Sequence, residues 1–444
     1  MTHSQVLTQL AARWPEDRVG ASLERIATLM DILGSPHKAA PMIHITGTNG
    51  KGSTAIIVDG LLRAQGLRTG RYTSPHLSDP RERISVDGHP ISEDDFDQVF
   101  TEIAPYVAMV DAQLIDAQPM TAFEVLTGMA YACFADAPVD VMVVEVGMGG
   151  TWDATNVADA SVAVITPIEL EHTEYLGNTL TMIAQEKAGI IKPGSVAVLA
   201  GQDPEVARAL LNRCSELGVQ SLAEGIDFAL LDRRMAIGGQ MVRLESAGGP
   251  VGDLFLPLFG EVMARNAVLA VAAVEALAGM RELDPSVIED GFAEVIAPAR
   301  CELVHNSPPI VIDTAHTPVA VTAVLKAVDE AFGFAPLIAV IGMMADKNAE
   351  AILELLEPHV TQLVVTSAAT ARAMPAGELG LRANQVFGPT RVVVRPHLPD
   401  AIDEVVRLGD EAGPGTGIIL LGSVALAGQA RLLLKLGSGQ FDHP

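Results

Sequence analysis

Short apolar runs alternate with longer amphipathic stretches through most of this chain. The run 139–146 (VDVMVVEV) is apolar apart from Asp140 and Glu145, which is typical of a strand buried on both faces of a parallel sheet. Stretches such as 204–217 have apolar residues at helical spacing and follow runs of this kind. This alternation predicts α/β architecture, with mostly parallel sheets covered by helices on both faces.

The alternation is interrupted once, and the interruption divides the chain. Residues 225–260 are rich in glycine and alternate polar with apolar positions, which predicts short antiparallel strands. After them comes a predicted helix over 266–278, and strands and helices alternate again beyond a predicted linker at 294–300. We therefore predict an N-terminal phosphate-loop domain with a mostly parallel sheet over residues 1–297. A smaller, Rossmann-like α/β domain is predicted over 298–444.

Residues 42–54 (MIHITGTNGKGST) combine an apolar run, a glycine-rich turn and the start of a helix predicted from residue 54. Glycines let backbone amides turn toward an oxyanion, and the helix N-terminus adds partial positive charge. Lys51 is placed to reach the outer phosphates of a nucleotide, and the hydroxyl of Ser53 or Thr54 is placed to face a bound Mg²⁺. The general phosphate-loop pattern has glycine where Ile45 stands and lacks the inserted Gly52, so this loop is a variant. The alternative is an ordinary glycine-rich turn.

The charge balance narrows the class of ligand. The 444 residues include 29 Lys and Arg against 55 Asp and Glu, a formal charge of −26, and such a surface repels nucleic acid and anionic membranes. The loop is therefore expected to serve a mononucleotide. The three cysteines are widely spaced and odd in number, which predicts a reducing, cytoplasmic environment. Neither a signal peptide nor an apolar run long enough to span a membrane is evident.

Two polar residues follow predicted strands, where ligands of open α/β sheets bind. Glu145 precedes a glycine turn, and a carboxylate there can hold the Mg²⁺ that accompanies a nucleotide. His172 follows the strand predicted over 161–166 and is a candidate second ligand. The alternatives are a buried glutamate satisfied by backbone donors and a solvated histidine.

Several charged residues are candidates with equally ordinary alternatives. Lys187 ends an otherwise apolar helix, where a surface lysine is the simpler interpretation. Arg81 and Arg83 lie in the polar segment 78–90, which is predicted to be a mobile surface loop containing a hairpin, and they could meet an anionic substrate. Their alternative is a solvated charge cluster.

The second domain offers three further candidates. Arg300 lies on the predicted linker, from which a cation could reach phosphates held by the first domain. Asp313 and His316 follow the strand predicted over 309–312, and suit ribose hydroxyls and an anionic group respectively. Capping and loop roles explain both residues equally well on spacing alone.

Taken together, these motifs resemble the folylpolyglutamate synthase/dihydrofolate synthase family of the Mur ligase superfamily. The resemblance covers nearly the whole chain. It rests on HITGTNGKGST (44–54), TSPHL (73–77), PRERI (80–84), EVGMGG (145–150), DATN (153–156), EHTEYLGNT (171–179), EKAGIIKPG (186–194), DTAHTP (313–318) and DK (346–347). It implies that ATP converts a substrate carboxylate to an acyl phosphate, which the amine of L-glutamate then attacks. Products would be an amide, ADP and phosphate.

The resemblance also implies roles for single residues. Nucleotide contacts are implied at Thr48, Asn49, Gly50, Lys51, Gly52, Ser53, Asn266, Arg300 and Asp313. Mg²⁺ ligands, for what we expect to be two ions, are implied at Ser53, Ser74, Glu145 and His172. A pterin pocket is implied at Ser22, Leu23, Thr121, Phe123, Asp153 and Ala154. Residues implied in catalysis are Lys51, Lys187 (matching a lysine that is carbamylated in the family), His172, Arg83 (on the family's mobile loop) and His316 (near the glutamate site).

Six positions depart from the family pattern. The family usually has DGAHNP at 313–318, where Thr314 and Thr317 replace Gly and Asn, and a His-Gln pair at 262–263, where Val and Met stand. It usually has Asp at Glu171 and commonly Arg at Thr151.

The resulting hypothesis is an ATP-dependent ligase that adds L-glutamate to dihydropteroate, to a folate, or to both, with a role in folate biosynthesis and one-carbon metabolism. We expect a cytoplasmic monomer whose partners are these small molecules, and neither nucleic acid nor membranes. Two alternatives remain: a Mur-type ligase acting on another carboxylate, such as a nucleotide-linked sugar acid, and a nucleotide-binding homologue with reduced turnover.

Overall fold

The computed structural model describes residues 1–13 and 22–437, and its strands form three sheets. The strands are β1 (Met42–Thr46), β2 (Thr69–Tyr72), β3 (Ile84–Val86), β4 (His89–Pro90), β5 (Val141–Glu145), β6 (Val162–Ile165), β7 (Val196–Leu199), β8 (Gln220–Ala223), β9 (Ala229–Ala236), β10 (Gly239–Ser246), β11 (Gly249–Leu256), β12 (Glu302–Asn306), β13 (Pro309–Ile312), β14 (Leu337–Ile341), β15 (Gln362–Val365), β16 (Val392–Val394) and β17 (Gly417–Leu421).

The helices cover the sheets. They are α1 (His3–Ala11), α2 (Glu24–Ile32), α3 (Lys51–Ala64), α4 (Glu93–Asp111), α5 (Ala122–Asp136), α6 (Thr173–Leu176), α7 (Leu180–Lys187), α8 (Pro204–Leu217), α9 (Glu261–Leu277), α10 (Pro285–Ala293), α11 (Pro318–Phe332), α12 (Ala349–Leu356), α13 (Ala376–Phe387), α14 (Leu398–Ala412) and α15 (Val424–Gly437). Five 3₁₀ segments join them, at Pro36–Lys38, Pro80–Arg83, Ile115–Ala117, Ala154–Val157 and Ala188–Ile190.

The first sheet has eight strands in the order β4-β3-β2-β5-β1-β6-β7-β8. Every neighbouring pair from β2 to β8 is parallel, and β3 and β4 extend the sheet antiparallel. Because β1 lies between β5 and β6, the segments that follow these three strands meet at one edge. The mostly parallel first sheet is thus confirmed, and its strand order sets the location of a site.

The second sheet has six strands in the order β12-β13-β17-β14-β15-β16, parallel except for β12. It confirms a second α/β unit after the linker, whereas the boundary at 297/298 stays a prediction. The sequence did not predict β8 or β12. Both are edge strands with partly exposed side chains, so they lack the apolar run that marks the inner strands. Helices α10 and α13 were also missed.

Strands β9, β10 and β11 form the three-stranded antiparallel sheet predicted within 225–260. Helix α9 follows it and begins at Glu261, five residues before the predicted start at 266. It packs against α3, and its buried alanines and aliphatic residues belong to the same core as β1, β5 and β6. The earlier start places Asn266 within the helix, at its buried face.

A buried ion pair joins α2 to α5. Arg25 is 1 % exposed, and its Nε lies 3.0 Å from Oε1 of Glu124. Oε2 of Glu124 accepts the backbone amide of Thr121 at 2.7 Å, while the Thr121 hydroxyl accepts that of Glu124. This reciprocal cap fixes the N-terminus of α5. Removing one partner of such a pair costs about 3–5 kcal/mol because the other charge stays buried.

The hairpin predicted within 78–90 is confirmed by the antiparallel pair β3–β4, but the segment is folded onto the first sheet instead of forming a surface loop. Residues 80–90 form a 3₁₀ turn followed by β3 and β4. Arg83 is 2 % exposed, and its Nε donates to Nδ1 of His76 at 2.9 Å, whereas Arg81 pairs with Asp79 at 2.7 Å. The interpretation as a solvated charge is therefore wrong for Arg83, whereas Arg81 lies in a partly exposed ion pair. Within the described residues, the model contains no helix with the length and hydropathy that a membrane crossing requires.

Candidate active site

The turn after β1 is shaped by close backbone approaches. Gly47 has φ of 144°, and a Cβ there would lie 1.8 Å from Oγ1 of Thr166, the residue after β6. Gly50 has φ of 92° and precedes α3, which begins at Lys51 rather than at the predicted residue 54. Both glycines are needed because the positive φ and the contacts exclude a side chain. The N-terminus of a 14-residue helix therefore opens directly onto the loop, as phosphate binding requires.

Lys51 folds back over the loop that carries it. Its Nζ donates to the carbonyls of Gly47 at 3.0 Å and Thr48 at 3.1 Å. Its charge lowers the pKa of both Glu145 and Glu171, so it lies within electrostatic reach of the two carboxylates. The predicted phosphate-binding lysine is thus the cation shared by the acidic residues around the loop.

Glu145 ends β5, beside the loop. It is 4 % exposed, and burial raises its pKa, while Lys51 and the Ser74 amide, which donates to Oε2 at 3.0 Å, act in the opposite direction. A Cβ on Gly52 would lie 3.4 Å from the same oxygen, so the inserted glycine leaves the face of the carboxylate uncovered. A buried carboxylate with an open face at Gly52 fits the oxygen donors that Mg²⁺ prefers.

Lys187 is buried beside the same loop. Its Nζ contacts Oε1 of Glu171 and the carbonyl of Gly47, each at 2.7 Å. Burial lowers the pKa of Lys187 to about 8, against the opposing influence of Glu171. Burial acts to raise the pKa of Glu171, but Lys51 and Lys187 outweigh it and hold that pKa at about 2. The interpretation of Lys187 as a surface lysine is therefore wrong.

His172 lies at the N-terminus of α6 with a left-handed backbone (φ 44°). Burial lowers the pKa of His172, whereas the nearby Glu171 carboxylate raises it. Lys347 of the second domain is among the cations that lower the same pKa. Within the described residues, the group of three His, Cys, Asp or Glu ligand atoms within 4.8 Å of one another is His3, Glu93 and Asp97, so Glu145 and His172 belong to no such group. An ion held by these two would need further oxygens, as Mg²⁺ usually takes from water and phosphate.

Asn266 of α9 lies directly over the loop. A Cβ on Gly50 would be 2.7 Å from Oδ1 of Asn266. Asn266 is 3 % exposed, and its Nδ2 has no hydrogen-bond partner among the residues that the structure describes. A buried amide donor without a partner is costly, so it marks a place where a ligand acceptor fits. Val262 and Met263 stand where the family usually has a His-Gln pair, and Asn266 nevertheless lies over Gly50.

A cavity of about 720 Å³ begins at this edge of the first sheet. Five of the six predicted pterin-pocket residues line it: Ser22, Thr121, Phe123, Asp153 and Ala154. Two predicted metal ligands, Ser74 and His172, line it as well. Leu23 does not, and packs against a neighbouring core instead. The cavity therefore brings the predicted pterin pocket together with two of the predicted metal ligands.

The second domain forms another wall of this cavity. Ala345, Asp346, Lys347 and Arg372 line it, and the aromatic residues Trp152 and Tyr175 of the first domain line it as well. Sequence reasoning missed Trp152, Tyr175 and Arg372. It identified the DK pair at 346–347 as a motif without assigning it a place. Residues in loops of two domains share no sequence period, so the signals on offer were the DK pair and, for Tyr175, its place in the motif EHTEYLGNT (171–179).

Arg300, Asp313 and His316 lie together on the second-domain side. The Arg300 guanidinium donates to the Thr314 hydroxyl and lowers the pKa of Glu145 and of Asp313. Burial raises the Asp313 pKa, and both Asp313 oxygens accept backbone amides, from Cys301 at 2.8 Å and Ala315 at 2.7 Å. His316 is hydrogen-bonded to the Thr314 carbonyl at 2.9 Å and lies outside the cavity lining.

Comparison with known protein families places both domains in one superfamily. Residues 97–274 match the Mur ligase middle domain, and residues 299–424 match the Mur ligase glutamate ligase domain. The dihydrofolate synthase/folylpolyglutamate synthase of Mycobacterium tuberculosis is 46 % identical over 97 % of this chain and 93 % of its own length. The folylpolyglutamate synthase of Lacticaseibacillus casei is 34 % identical over 93 % of this chain and 94 % of its own.

Solved structures agree with these relatives. The Mycobacterium tuberculosis folylpolyglutamate synthase complexed with ADP superposes with a TM-score of 0.93 at 47 % identity, covering 97 % of this chain and 98 % of that one. An FPGS–AMPPCP–folate complex superposes with a TM-score of 0.83 at 31 % identity, covering 98 % of this chain and all of the other. The similarity extends over both domains, and therefore over both sides of the cavity.

Proposed function

Because this chain belongs to the folylpolyglutamate synthase/dihydrofolate synthase family of the Mur ligase superfamily, we propose that its cavity is the active site of glutamate ligation. The reaction is the ATP-dependent addition of L-glutamate to a folate-type acid. The observation that carries the site assignment is one shared cavity, lined both by Thr121 and Phe123 of the predicted pterin pocket and by the predicted metal ligands Ser74 and His172. The two alternative functions are not favoured by the relatives.

Residues of the first domain are assigned to two tasks, binding the ATP phosphates and binding the acceptor acid. Residues 48–53 hold the ATP phosphates, and Lys51 and the α3 N-terminus offset negative charge at the transferring phosphoryl group. The acceptor acid lies along Ser22, Thr121, Phe123, Asp153 and Ala154, with its carboxylate toward Ser74 and His172. The carboxylate becomes an acyl phosphate with release of ADP. The L-glutamate amine then forms the amide and displaces phosphate.

The second domain supplies the remaining contacts. Arg300 and Asp313 meet the nucleotide from the side opposite the loop, and Asn266 donates to it from above. His316 lies near the glutamate amine. A carbonyl oxygen only accepts, so the bond to the Thr314 carbonyl places the proton of His316 on Nδ1 and leaves Nε2 as an acceptor. Burial lowers the pKa of His316, which keeps the ring neutral at neutral pH.

Ser53, Ser74, Glu145 and His172 would hold Mg²⁺, expected as two ions, which would supply charge neutralisation and orientation of the phosphates. The fit is supported by the open face of Glu145 at Gly52. Lys187 would act as a carbamate. Carbamylation needs the neutral amine, and a pKa of about 8 provides more of it near neutral pH than the ordinary 10.5. A carbamate next to Glu171 would place two anions together, an arrangement that a nearby cation stabilises.

We further propose that both dihydropteroate and a reduced folate are acceptors, and that the enzyme is a cytoplasmic monomer. Support for two acceptors comes from a pterin end lined within the first domain alone, and from a cavity that continues to the second domain. Support for a reducing compartment comes from three buried, unpaired cysteines.

The test measures ADP release with each acceptor, with and without L-glutamate. We expect glutamate-dependent release with both dihydropteroate and tetrahydrofolate, and none with UDP-sugar acids. Release with one acceptor only would overturn the dual specificity. Failure with both, in protein that binds ADP, would overturn the ligation site. Sedimentation of the same sample checks the monomer.

A further inference from the structure

The chain turns sharply where it passes from the first domain to the second. Arg300 stands between two non-glycine residues with left-handed backbones, Ala299 (φ 51°) and Cys301 (φ 49°). Side-chain-bearing residues seldom adopt this conformation, so surrounding contacts must hold it. The direction in which the Arg300 side chain leaves the backbone depends on those contacts.

Three backbone hydrogen bonds fasten this corner. The Ala299 amide donates to Oε2 of Glu302 at 2.7 Å, and the Cys301 amide donates to Oδ2 of Asp313 at 2.8 Å. The Thr314 amide donates to the Ala299 carbonyl at 3.1 Å. The loop after β13 therefore holds the backbone on both sides of Arg300.

Thr314 also contacts the side chain of Arg300. It is 2 % exposed, and its hydroxyl accepts a hydrogen bond from the Arg300 guanidinium. Arg300 is only partly buried, yet it lowers the pKa of Glu145, which belongs to the first domain. The hydroxyl thus holds the guanidinium of a long side chain in one place, within electrostatic reach of Glu145. A glycine at 314, as in the family pattern DGAHNP, would offer no hydroxyl.

We propose that Thr314 is a positioning residue that orients Arg300 for the nucleotide before ATP binds. An arginine has many rotamers, and fixing one of them at binding lowers affinity. A buried hydroxyl that selects the productive rotamer in advance removes part of that cost. This inference rests on the proposed function, in which Arg300 meets the nucleotide.

The test compares Thr314→Val, which keeps the branched shape and removes the hydroxyl, with Thr314→Ser, which keeps the hydroxyl. We expect Thr314→Val to raise both the KM for ATP and the Kd for ADP by about tenfold, the effect of losing one hydrogen bond to a charged group. kcat at saturating ATP should change less than about twofold, because the role ends once the nucleotide is bound. Thr314→Ser should restore both constants.

Thr317→Val is the matched control. Thr317 lies in the same loop, also departs from the family pattern, and accepts the Ala320 amide at 3.3 Å as the cap of α11. It should lower thermal stability without changing ADP affinity. If Thr314→Val and Thr317→Val lose ADP affinity equally, the loss comes from a less stable loop, and the inference is overturned.

A double-mutant cycle with Arg300→Met separates the inference from the function on which it rests. We expect Thr314→Val to have no further effect on ADP affinity in the Arg300→Met background. If Arg300→Met weakens ADP binding while Thr314→Val does not, the inference is wrong and the nucleotide role of Arg300 stands. If Arg300→Met has no effect, the nucleotide role itself is wrong, and the inference with it. Should Thr314→Val fail to fold, Thr314→Ala removes the same hydroxyl and carries the same test.

Discussion

The two sides of the candidate active site are held in place by different means. On the first-domain side, the phosphate loop, Glu145 and the segment around Glu171 follow adjacent strands of one sheet. The buried Lys187 joins two of these segments, because its ammonium contacts Glu171 and the Gly47 carbonyl. On the second-domain side, Arg300, Asp313 and His316 depend on one loop and one corner of the linker. Residues held by a sheet keep a more precise geometry than residues held by a loop. We therefore expect the first-domain residues to act mainly on the chemical step and the second-domain residues to act mainly on ligand affinity. First-domain variants should therefore lower kcat, and second-domain variants should mainly weaken binding.

The largest effect is expected for Lys51→Met. It removes the cation that faces the transferring phosphoryl group while keeping an apolar stem of similar length. We expect kcat to fall by about 10²–10³-fold, the range for losing one electrostatic donor to a transition state. ADP release at saturating substrates is the measurement, and Lys38→Met, at an exposed lysine, is the control. A rise in KM with kcat intact would mean that the first domain only binds.

Lys187→Ala should come next. If the residue works as a carbamate, its loss should lower kcat by about 10²-fold, because an anion that supports a cation is removed. Acetate or propionate in the assay should restore part of the rate. The control is Lys192→Ala, whose ammonium donates to the Asn156 and Ala158 carbonyls. Full activity of Lys187→Ala would remove the carbamate from the mechanism.

A smaller and different effect is expected for Asp313→Asn on the second-domain side. The amide keeps the size of the carboxylate but cannot accept both backbone amides, so it disturbs the linker corner and removes one charge. The KM for ATP should rise about tenfold with kcat nearly unchanged. Asp284→Asn, at the exposed cap of α10, loses the same kind of acceptor and should leave that KM unaltered. A kcat loss matching that of Lys51→Met would abolish the contrast between the two sides.

The smallest effect concerns pH. The Glu171 pKa is lowered from 4.5 to about 2, so its ionised form contributes stability above pH 4.5 that is lost as pH falls toward 2. In Glu171→Gln, the free energy of unfolding should therefore depend less on pH between about 4.5 and 2. Glu169 is the control of opposite sign, because burial raises its pKa and its contribution is lost as pH rises. Urea denaturation at several pH values measures both, and an unchanged slope in Glu171→Gln would contradict the buried pair with Lys187.

Much of the first-domain side was predictable. Gly50, Lys51 and Glu145 were identified because strand, glycine turn and helix leave a regular signature, and because a charge within an apolar strand stands out. The missed edge strands and the cavity residues Trp152 and Arg372 left no such signature. Arg83 was misplaced for the same reason, since polar composition alone does not show that a segment pairs with a sheet edge.

By itself, the sequence determined the α/β alternation, the phosphate loop and the family motifs, because local periodicity and turn chemistry depend on neighbouring residues. Only the tertiary structure decided that Gly52 opens the face of Glu145, that Lys187 is buried against Glu171, and that Thr314 holds Arg300. Each of these contacts joins residues far apart in the chain. Their energies depend on burial and distance, and the chain acquires both only when its sheets and domains pack together.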